Sequence, residues 1–426
     1  MNRRDFLRGS ASTTLLAALG SSVIELKAEA RQAAADAPAG PPVTCAVIGL
    51  GKQGREILAS LAKLGNAPVA YICDTYNSPG FLKRSQDIVP SAKFVTDYKQ
   101  VLDDATVKAV FIATPSHQHK QIVLDAIAAG KHVYCEAPLA SDLSEAKAIA
   151  QAGAGAKTVF QAGLQLRSNK QNLHVLEFIR SDALGNIALG RGQWHDKMSW
   201  RQVAPTQDRE QELNWRLRKD TSSGLPGEIG IHQFDVATWF LKQQPIAITG
   251  MGAIMQWTQD GMEVPDTIQL VVEYPNNIRY TYDATLANSF DGTYDVFLGS
   301  NSAVMLRDQR AWMFKETDAP LLGWEVYARK DKLGVGDTTT GTGIALVADA
   351  TKLLAQGKQP ADAGTDVTKT SLYQAIDGFL GCVRTGGKPA AGALEGYRAT
   401  VVAHKAHEAT LTNSRIVLDK ALFEIS

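Results

Sequence analysis

Charge of one sign is missing from this sequence: 44 Lys and Arg stand against 44 Asp and Glu, a formal net charge of zero. A nucleic-acid partner needs a concentrated positive footprint, so none is expected. An unbroken apolar run is missing too. The best candidate, residues 11–26, is interrupted by Ser12, Thr13, Thr14 and Gly20, which makes it a poor permanent membrane span. No segment repeats at a fixed period, and no HExxH or clustered Cys/His spacing supports a metal site. What is present is 45% hydrophobic residues, ample for a packed core in two or three domains.

The N-terminus sets Arg3 and Arg4 ahead of the mildly apolar stretch and the small-residue run Ala28-Glu29-Ala30 after it. That order is the order of a twin-arginine signal peptide over residues 1–30. It implies the twin-arginine translocase as a partner during export, and a periplasmic or otherwise exported location. No cysteine closes the run, which argues against a lipid anchor there. Residues 31–42 are rich in Ala, Gly and Pro and read as a linker.

From residue 43 onward, apolar runs at 43–49, 69–74, 110–113, 132–136 and 158–162 alternate with helical patterns such as 55–64. Strands alternating with helices predict an α/β unit, a doubly wound parallel sheet over residues 43–163. Residues 164–426 read as a second α/β domain with a large, mainly antiparallel open sheet. Its signals are long strands at 187–197 and 246–257 and hairpins turning at 275–277 and 299–302. Helices are predicted at 227–242, 343–356, 371–384 and 396–411, and a loop at 332–342. One sheet face is left open, and a homo-oligomer is expected from it. Among the four cysteines, Cys73 and Cys135 end strands that such a sheet separates by about 14 Å, three spacings of roughly 4.8 Å. That exceeds disulfide reach, and Cys45 lies at the opposite end of its strand, so buried free thiols are expected.

The first strand runs into Gly49-Leu50-Gly51-Lys52-Gln53-Gly54, a GxGxxG loop leading into a helix. Such glycines allow a tight turn and let backbone approach a pyrophosphate, which rests on the positive helix end. Asp74 closes the second strand about twenty residues beyond Gly54, where an acid accepts ribose hydroxyls. A carboxylate there repels the 2'-phosphate of NADP, so NAD is favoured unless Arg84 folds back. A chain that closes around a dinucleotide is best folded where NAD is made, and the twin-arginine route carries folded proteins.

Further on, VFIATPSHQHKQIVLDAIAAGKHVYCEAPLA places Thr114, Pro115 and His119 after the fourth strand, and Glu136 and Pro138 after the fifth. With the glycine loop and the later GLPGEIGIHQFD, these segments resemble the glucose-fructose oxidoreductase, inositol dehydrogenase and MocA (Gfo/Idh/MocA) family over nearly all of residues 43–415. The resemblance implies that residues 43–163 are a Rossmann domain, that Thr114, Pro115, His119, Glu136 and Pro138 join the glycine loop and Asp74 around the coenzyme, and that substrates are sugars, cyclitols or related polyols. The family's E-K-P motif, however, reads Glu136-Ala137-Pro138 here. Its lysine helps polarise the substrate oxygen during hydride transfer, and alanine cannot. Polyol oxidation is then slower, assisted by another cation, or not the net reaction.

Glu228, His232 and Asp235 are spaced four and three apart, which puts them on one face of a helix. The resemblance assigns catalysis to the positions of Glu228 and His232, the histidine taking a hydroxyl proton and the carboxylate orienting it. An interior histidine satisfied by the core, or an i,i+4 metal pair, stands as an alternative. Gln165 and Arg167 resemble a family segment near the active site, and with Asp235 and Lys197 they are candidate substrate contacts. His195, Arg216, Arg218 and Lys219 are weaker polar candidates; the basic cluster reads first as a solvated face, with a cation that replaces the absent lysine as the alternative. Trp194, Trp200 and Trp215 are candidates for stacking on sugar rings. Three functions follow. The leading one is an exported NAD(P)-dependent oxidoreductase passing hydride between a sugar and a tightly bound cofactor. The others are an NAD-dependent glycosidase or lyase working by transient ring oxidation and elimination, and a non-catalytic sugar-binding protein.

Overall fold

Strand β1, Cys45–Ile48, is buried at all four residues, as a central parallel strand covered on both faces must be. In the computed structural model, which describes residues 40–307, 310–323, 331–335, 338–346 and 370–425, it pairs in parallel with β2 (Val69–Cys73) and β4 (Ala109–Ile112). The signal segment and most of the linker lie outside the described residues. β3 (Lys93–Val95), β5 (His132–Cys135) and β6 (Phe160–Ala162) complete a sheet of order β3-β2-β1-β4-β5-β6. The order reverses between β1 and β4, and the crevice beyond the strand ends there is where such sheets take a ligand. Three residues made β3 too short to show a period in the sequence.

Among the described residues the helices of eight residues or more are α1 (Lys52–Leu61), α2 (Pro79–Gln86), α3 (His119–Ala128), α4 (Leu143–Gly155), α5 (Lys170–Arg180), α6 (Ile231–Leu241), α7 (Ser371–Thr385) and α8 (Ala393–Thr412). One cover of the first sheet comes from far along the chain. Phe379 of α7 packs edge-on to Phe111 and Tyr134, ring centroids 5.5 and 5.8 Å apart. α8 lies against both sheets: its Thr400 hydroxyl accepts the Leu139 N–H at 3.1 Å, and its far end packs on the strand Ala247–Ala253 of the second sheet. All four cysteines are free, with Cys73 on β2 and Cys135 on β5 three strands apart, as expected.

The second sheet has ten strands: β7 (Ile187–His195), β8 (Ala247–Ala253), β9 (Thr267–Glu273), β10 (Arg279–Thr285), β11 (Thr293–Gly299), β12 (Ser302–Arg307), β13 (Arg310–Lys315), β14 (Asp331–Val335), β15 (Thr338–Leu346) and β16 (Arg415–Val417). Their order is β14-β15-β13-β12-β11-β7-β10-β9-β8-β16, antiparallel except for the β7–β10 pair. Alternating burial turns Leu270, Val272, Tyr280, Tyr282 and Val304 inward. There α6 docks through Phe234 on Tyr282 and Phe240 on Phe297, centroids 4.8 and 5.3 Å apart. Met251 of β8 is exposed.

Two sequence expectations are corrected here. Within the expected loop 332–342, residues 332–335 and 338–342 are strand; they belong to β14 and β15, which pair antiparallel. The glycines read as breakers, whereas the threonines between them are β-branched and suit extended backbone. The helix expected at 343–356 begins inside β15, and its remainder after Leu346 lies outside the described residues. Among the described residues no helix is long and apolar enough to cross a membrane.

Candidate active site

Backbone crowding makes the loop after β1 glycine-dependent. Gly49 has φ +96°, and a Cβ there would lie 2.6 Å from the Ala113 carbonyl and 2.7 Å from the Thr114 nitrogen. A Cβ on Gly54 would sit 1.9 Å from the Gly49 oxygen. Gly51 begins α1 with open space around it and no side-chain cap, and Lys52 beside it is exposed. The free N–H groups of that helix end are therefore available to an anion. Asp74 clamps the same loop, one carboxylate oxygen accepting the Leu50 N–H at 2.8 Å and the other the Tyr76 N–H at 2.9 Å. Each oxygen keeps a further lone pair for a ribose hydroxyl.

The loops after β4 and β5 form the facing wall. Glu136 is buried and accepts a hydrogen bond from Gln53 Nε2 at 2.8 Å, tying α1 to the end of β5; burial pushes its carboxyl up to about 7. Thr114 Oγ1 and Gln165 Oε1 are buried without a hydrogen-bond partner, on the wall of one cavity of about 110 Å3. Buried polar atoms are nearly always paired, so orphans gathered along one cavity point to a polar ligand there. With the glycine cradle and Asp74, these residues fit a dinucleotide. His119 lines the same cavity, as expected of a coenzyme-side residue, and its ring is also a brace. Nδ1 faces the Pro138 and Leu139 carbonyls at 3.1 and 3.2 Å, and Nε2 the Thr114 carbonyl at 2.9 Å, which joins the two loops. Pro115 precedes the turn that holds Ser116, and Pro138 is buried with its carbonyl facing the His119 ring.

Glu228 and His232 enter the same cavity, together with Ser116, Ala137, Trp215 and Arg216. A π-helical turn over Pro226–Gly230 precedes α6 and carries Glu228; such widened turns recur at functional sites. The Glu228 side chain is 4% exposed and accepts from Arg216 Nε at 3.3 Å, Ser116 Oγ at 3.4 Å and the Ser223 N–H at 3.5 Å. Burial raises its carboxyl above the usual range, and Arg216 opposes part of that rise. His232 Nδ1 is buried without a partner, and burial pushes the imidazole down to about 4. At neutral pH the ring is uncharged and has a lone pair with which to accept a proton. Among the described residues no group of three His, Cys, Asp or Glu side chains is placed to hold a metal ion.

Three expected substrate contacts lie elsewhere. Asp235 does not share the face of Glu228 and His232. It is held by Arg167 in a two-pronged pair, 2.8 Å on each arm, beside a separate cavity that Trp239 also lines. Three residues from His232 is not a full helical turn, and the pull of a nearly buried guanidinium decides which side Asp235 faces. Arg167 is spent on the same pair. Lys197 is exposed, with its backbone N–H on the Ser289 hydroxyl, and does not line the cleft. Ser116 was missed in the sequence. Its signal was its place just past the carboxyl end of β4, where parallel sheets put ligand contacts.

Asp74→Ala tests the coenzyme side. Losing a charged acceptor is expected to weaken NADH binding by about tenfold to a hundredfold and to relax the preference over NADPH. Calorimetric titration of both coenzymes measures it, and an unchanged preference would mean that the ribose is read elsewhere.

Two family models match the chain: the oxidoreductase family with NAD-binding Rossmann fold over residues 43–164, and the GFO/IDH/MocA C-terminal domain over residues 172–303. A levoglucosan dehydrogenase from Pseudarthrobacter phenanthrenivorans is 26% identical over 45% of this chain and 52% of its own length. The 2,7-anhydro-N-acetylneuraminate hydratase of Escherichia coli is 22% identical over 61% of this chain and 66% of its own. The chain thus spans about half to two thirds of these curated relatives. A solved levoglucosan dehydrogenase, in complex with NADH and L-sorbose, shares the fold with a TM-score of 0.71 at 19% identity, covering 89% of this chain and 99% of that one. With both of its domain models matched, over more than half of its length, the chain belongs to the Gfo/Idh/MocA oxidoreductase family.

Proposed function

We propose that this chain is an NAD-dependent oxidoreductase acting on a hydroxyl of a sugar or sugar derivative. One observation carries the reading: Glu228, His232 and Arg216 share a single cavity with Gln53 and Glu136, so the acid–base groups stand directly beside the coenzyme crevice. Bound NAD supplies the hydride acceptor. His232 takes the hydroxyl proton, which its uncharged ring permits. Glu228 and Arg216 hold the polar end of the substrate between a carboxylate and a guanidinium, and Trp215 gives a flat apolar wall. The relatives named for levoglucosan and 2,7-anhydro-N-acetylneuraminate support a polyhydroxylated substrate.

A redox-neutral variant is favoured by one feature. Ala137 lines the cavity where the resembling family carries lysine, and a hydratase is among the relatives. In that reading a ring carbon is oxidised with hydride passing to NAD, a neighbouring substituent is eliminated with loss of a proton, water adds to the resulting double bond, and the hydride returns to the carbonyl carbon. Export is part of the proposal: Arg3, Arg4, the apolar stretch and Ala28-Glu29-Ala30 support passage through the twin-arginine translocase to the periplasm with the coenzyme aboard.

The test incubates purified protein with NAD and a panel of levoglucosan, myo-inositol and glycosides, following nicotinamide absorbance and product NMR together. Carbonyl product with matching NADH supports net oxidation. Cleaved or hydrated product without net NADH supports the second reading. Failure of every sugar, with coenzyme bound, would leave only a binding role.

A further inference from the structure

The coenzyme crevice is bridged from outside its own sheet. Residues 201–221 follow β7 of the second sheet and run back over the first. The Arg209 guanidinium lies over the Tyr76 ring, 4.5 Å from its centroid, and the Trp215 ring lies 5.8 Å from that of His117. The strap is braced: Asn214 bonds both the Gln202 N–H and its carbonyl, at 2.7 and 3.0 Å, and Arg201 donates to the Asp260 carbonyl at 3.0 Å. Tyr76 is two residues past Asp74 and donates its N–H to that carboxylate. Arg209 therefore stands at the ribose-binding end, while Trp215 and Arg216 stand at the reaction end. Glu212 engages one terminal nitrogen of Arg209, yet Arg209 Nε is buried with no hydrogen-bond partner. A buried guanidinium N–H without an acceptor is costly, and a ligand bearing hydroxyl or phosphate oxygens supplies one.

We propose that Arg209 and Tyr76 form a latch for the adenosine half of the dinucleotide. The second domain delivers the arginine, its charge lies on the tyrosine face, and its free Nε–H donates to a ribose or phosphate oxygen. The latch makes the coenzyme resident instead of exchanging. This rests on the reading that the crevice binds NAD.

The experiment measures NADH release from the full chain by stopped-flow fluorescence, and ADP-ribose and nicotinamide mononucleotide binding by calorimetry. Arg209→Ala and Tyr76→Ala are each expected to speed NADH release about tenfold. Each weakens ADP-ribose by a similar factor and leaves the mononucleotide unchanged, and the double variant is no worse than either single one. Unchanged release and ADP-ribose affinity in both variants overturns the latch. So does an equal loss for both half-molecules, which marks a general loosening of the crevice. Should either alanine variant misfold, Arg209→Lys keeps the charge without the planar face and is expected to release NADH faster than wild type. Failure of the wild-type chain to bind NADH at all removes the coenzyme reading itself, a result separate from either outcome.

Discussion

His232→Ala is expected to lower turnover on the order of a thousandfold, within the range for a lost general base, while NADH affinity stays at the wild-type value. The split follows from position. His232 lines the cavity with Glu228 and Arg216, whereas the glycine loop and Asp74 grip the coenzyme by contacts of their own. A loss in both would mean that the ring holds the crevice open instead of moving a proton. The pH profile gives a second reading of the same residue. Burial pushes His232 down to about 4, so the neutral, proton-accepting ring is present at every pH above that value and is lost as pH falls through it. His232 itself is thus expected to add no inflection to kcat/KM between about pH 8 and about pH 5, and an inflection near 7 that persists in His232→Ala belongs to Glu136, whose carboxyl is pushed up to about 7. An inflection near the ordinary histidine value, removed by His232→Ala, would place the ring in a wetter setting than its burial implies.

Local signals in the chain were enough for the coenzyme side. Gly49, Gly54 and Asp74 are readable because each answers a short-range demand, a positive φ, a close backbone contact or a strand end, that few residues meet. Glu228 and His232 were singled out by their spacing and by the family resemblance, although the π-helical turn beneath Glu228 was not legible. Illegible parts depend on partners distant in sequence. Asp235 has the spacing of a cleft residue, and only Arg167, 68 residues away, shows why it faces another cavity. Phe379 covers the first sheet from a helix that follows the second, and Arg209 meets Tyr76 across more than a hundred residues. Period and composition carry no record of such pairings. The threonine-rich strand β15 illustrates a different limit, since glycine and β-branched residues give opposed local signals and pairing with β13 settles them.

Arg216→Ala is expected to lower kcat/KM by about a hundredfold, the scale of one lost electrostatic contact to a developing oxyanion. Among the residues lining the cavity beside Ala137, Arg216 is the one with a permanent positive charge. Its Nε is 3.3 Å from Glu228, and its guanidinium lies over the Trp215 ring at 4.7 Å, so it is aimed although half-exposed. Two roles separate in the variants. If Arg216 supplies the charge that lysine supplies in the resembling motif, Ala137→Lys adds little to wild type but restores part of the activity of Arg216→Ala. The two substitutions are then strongly non-additive. If Arg216 serves only to offset the buried Glu228, its removal lets the carboxyl rise further, since an opposing cation is gone. In that case Glu228→Gln combined with Arg216→Ala is no slower than Glu228→Gln alone, and a lysine at 137 rescues nothing. Arg216→Lys adds a geometric check, because an ammonium keeps the charge but loses the flat contact with Trp215 and the fork toward the carboxylate. Full activity in Arg216→Ala would sink both roles and leave the cavity without a working cation.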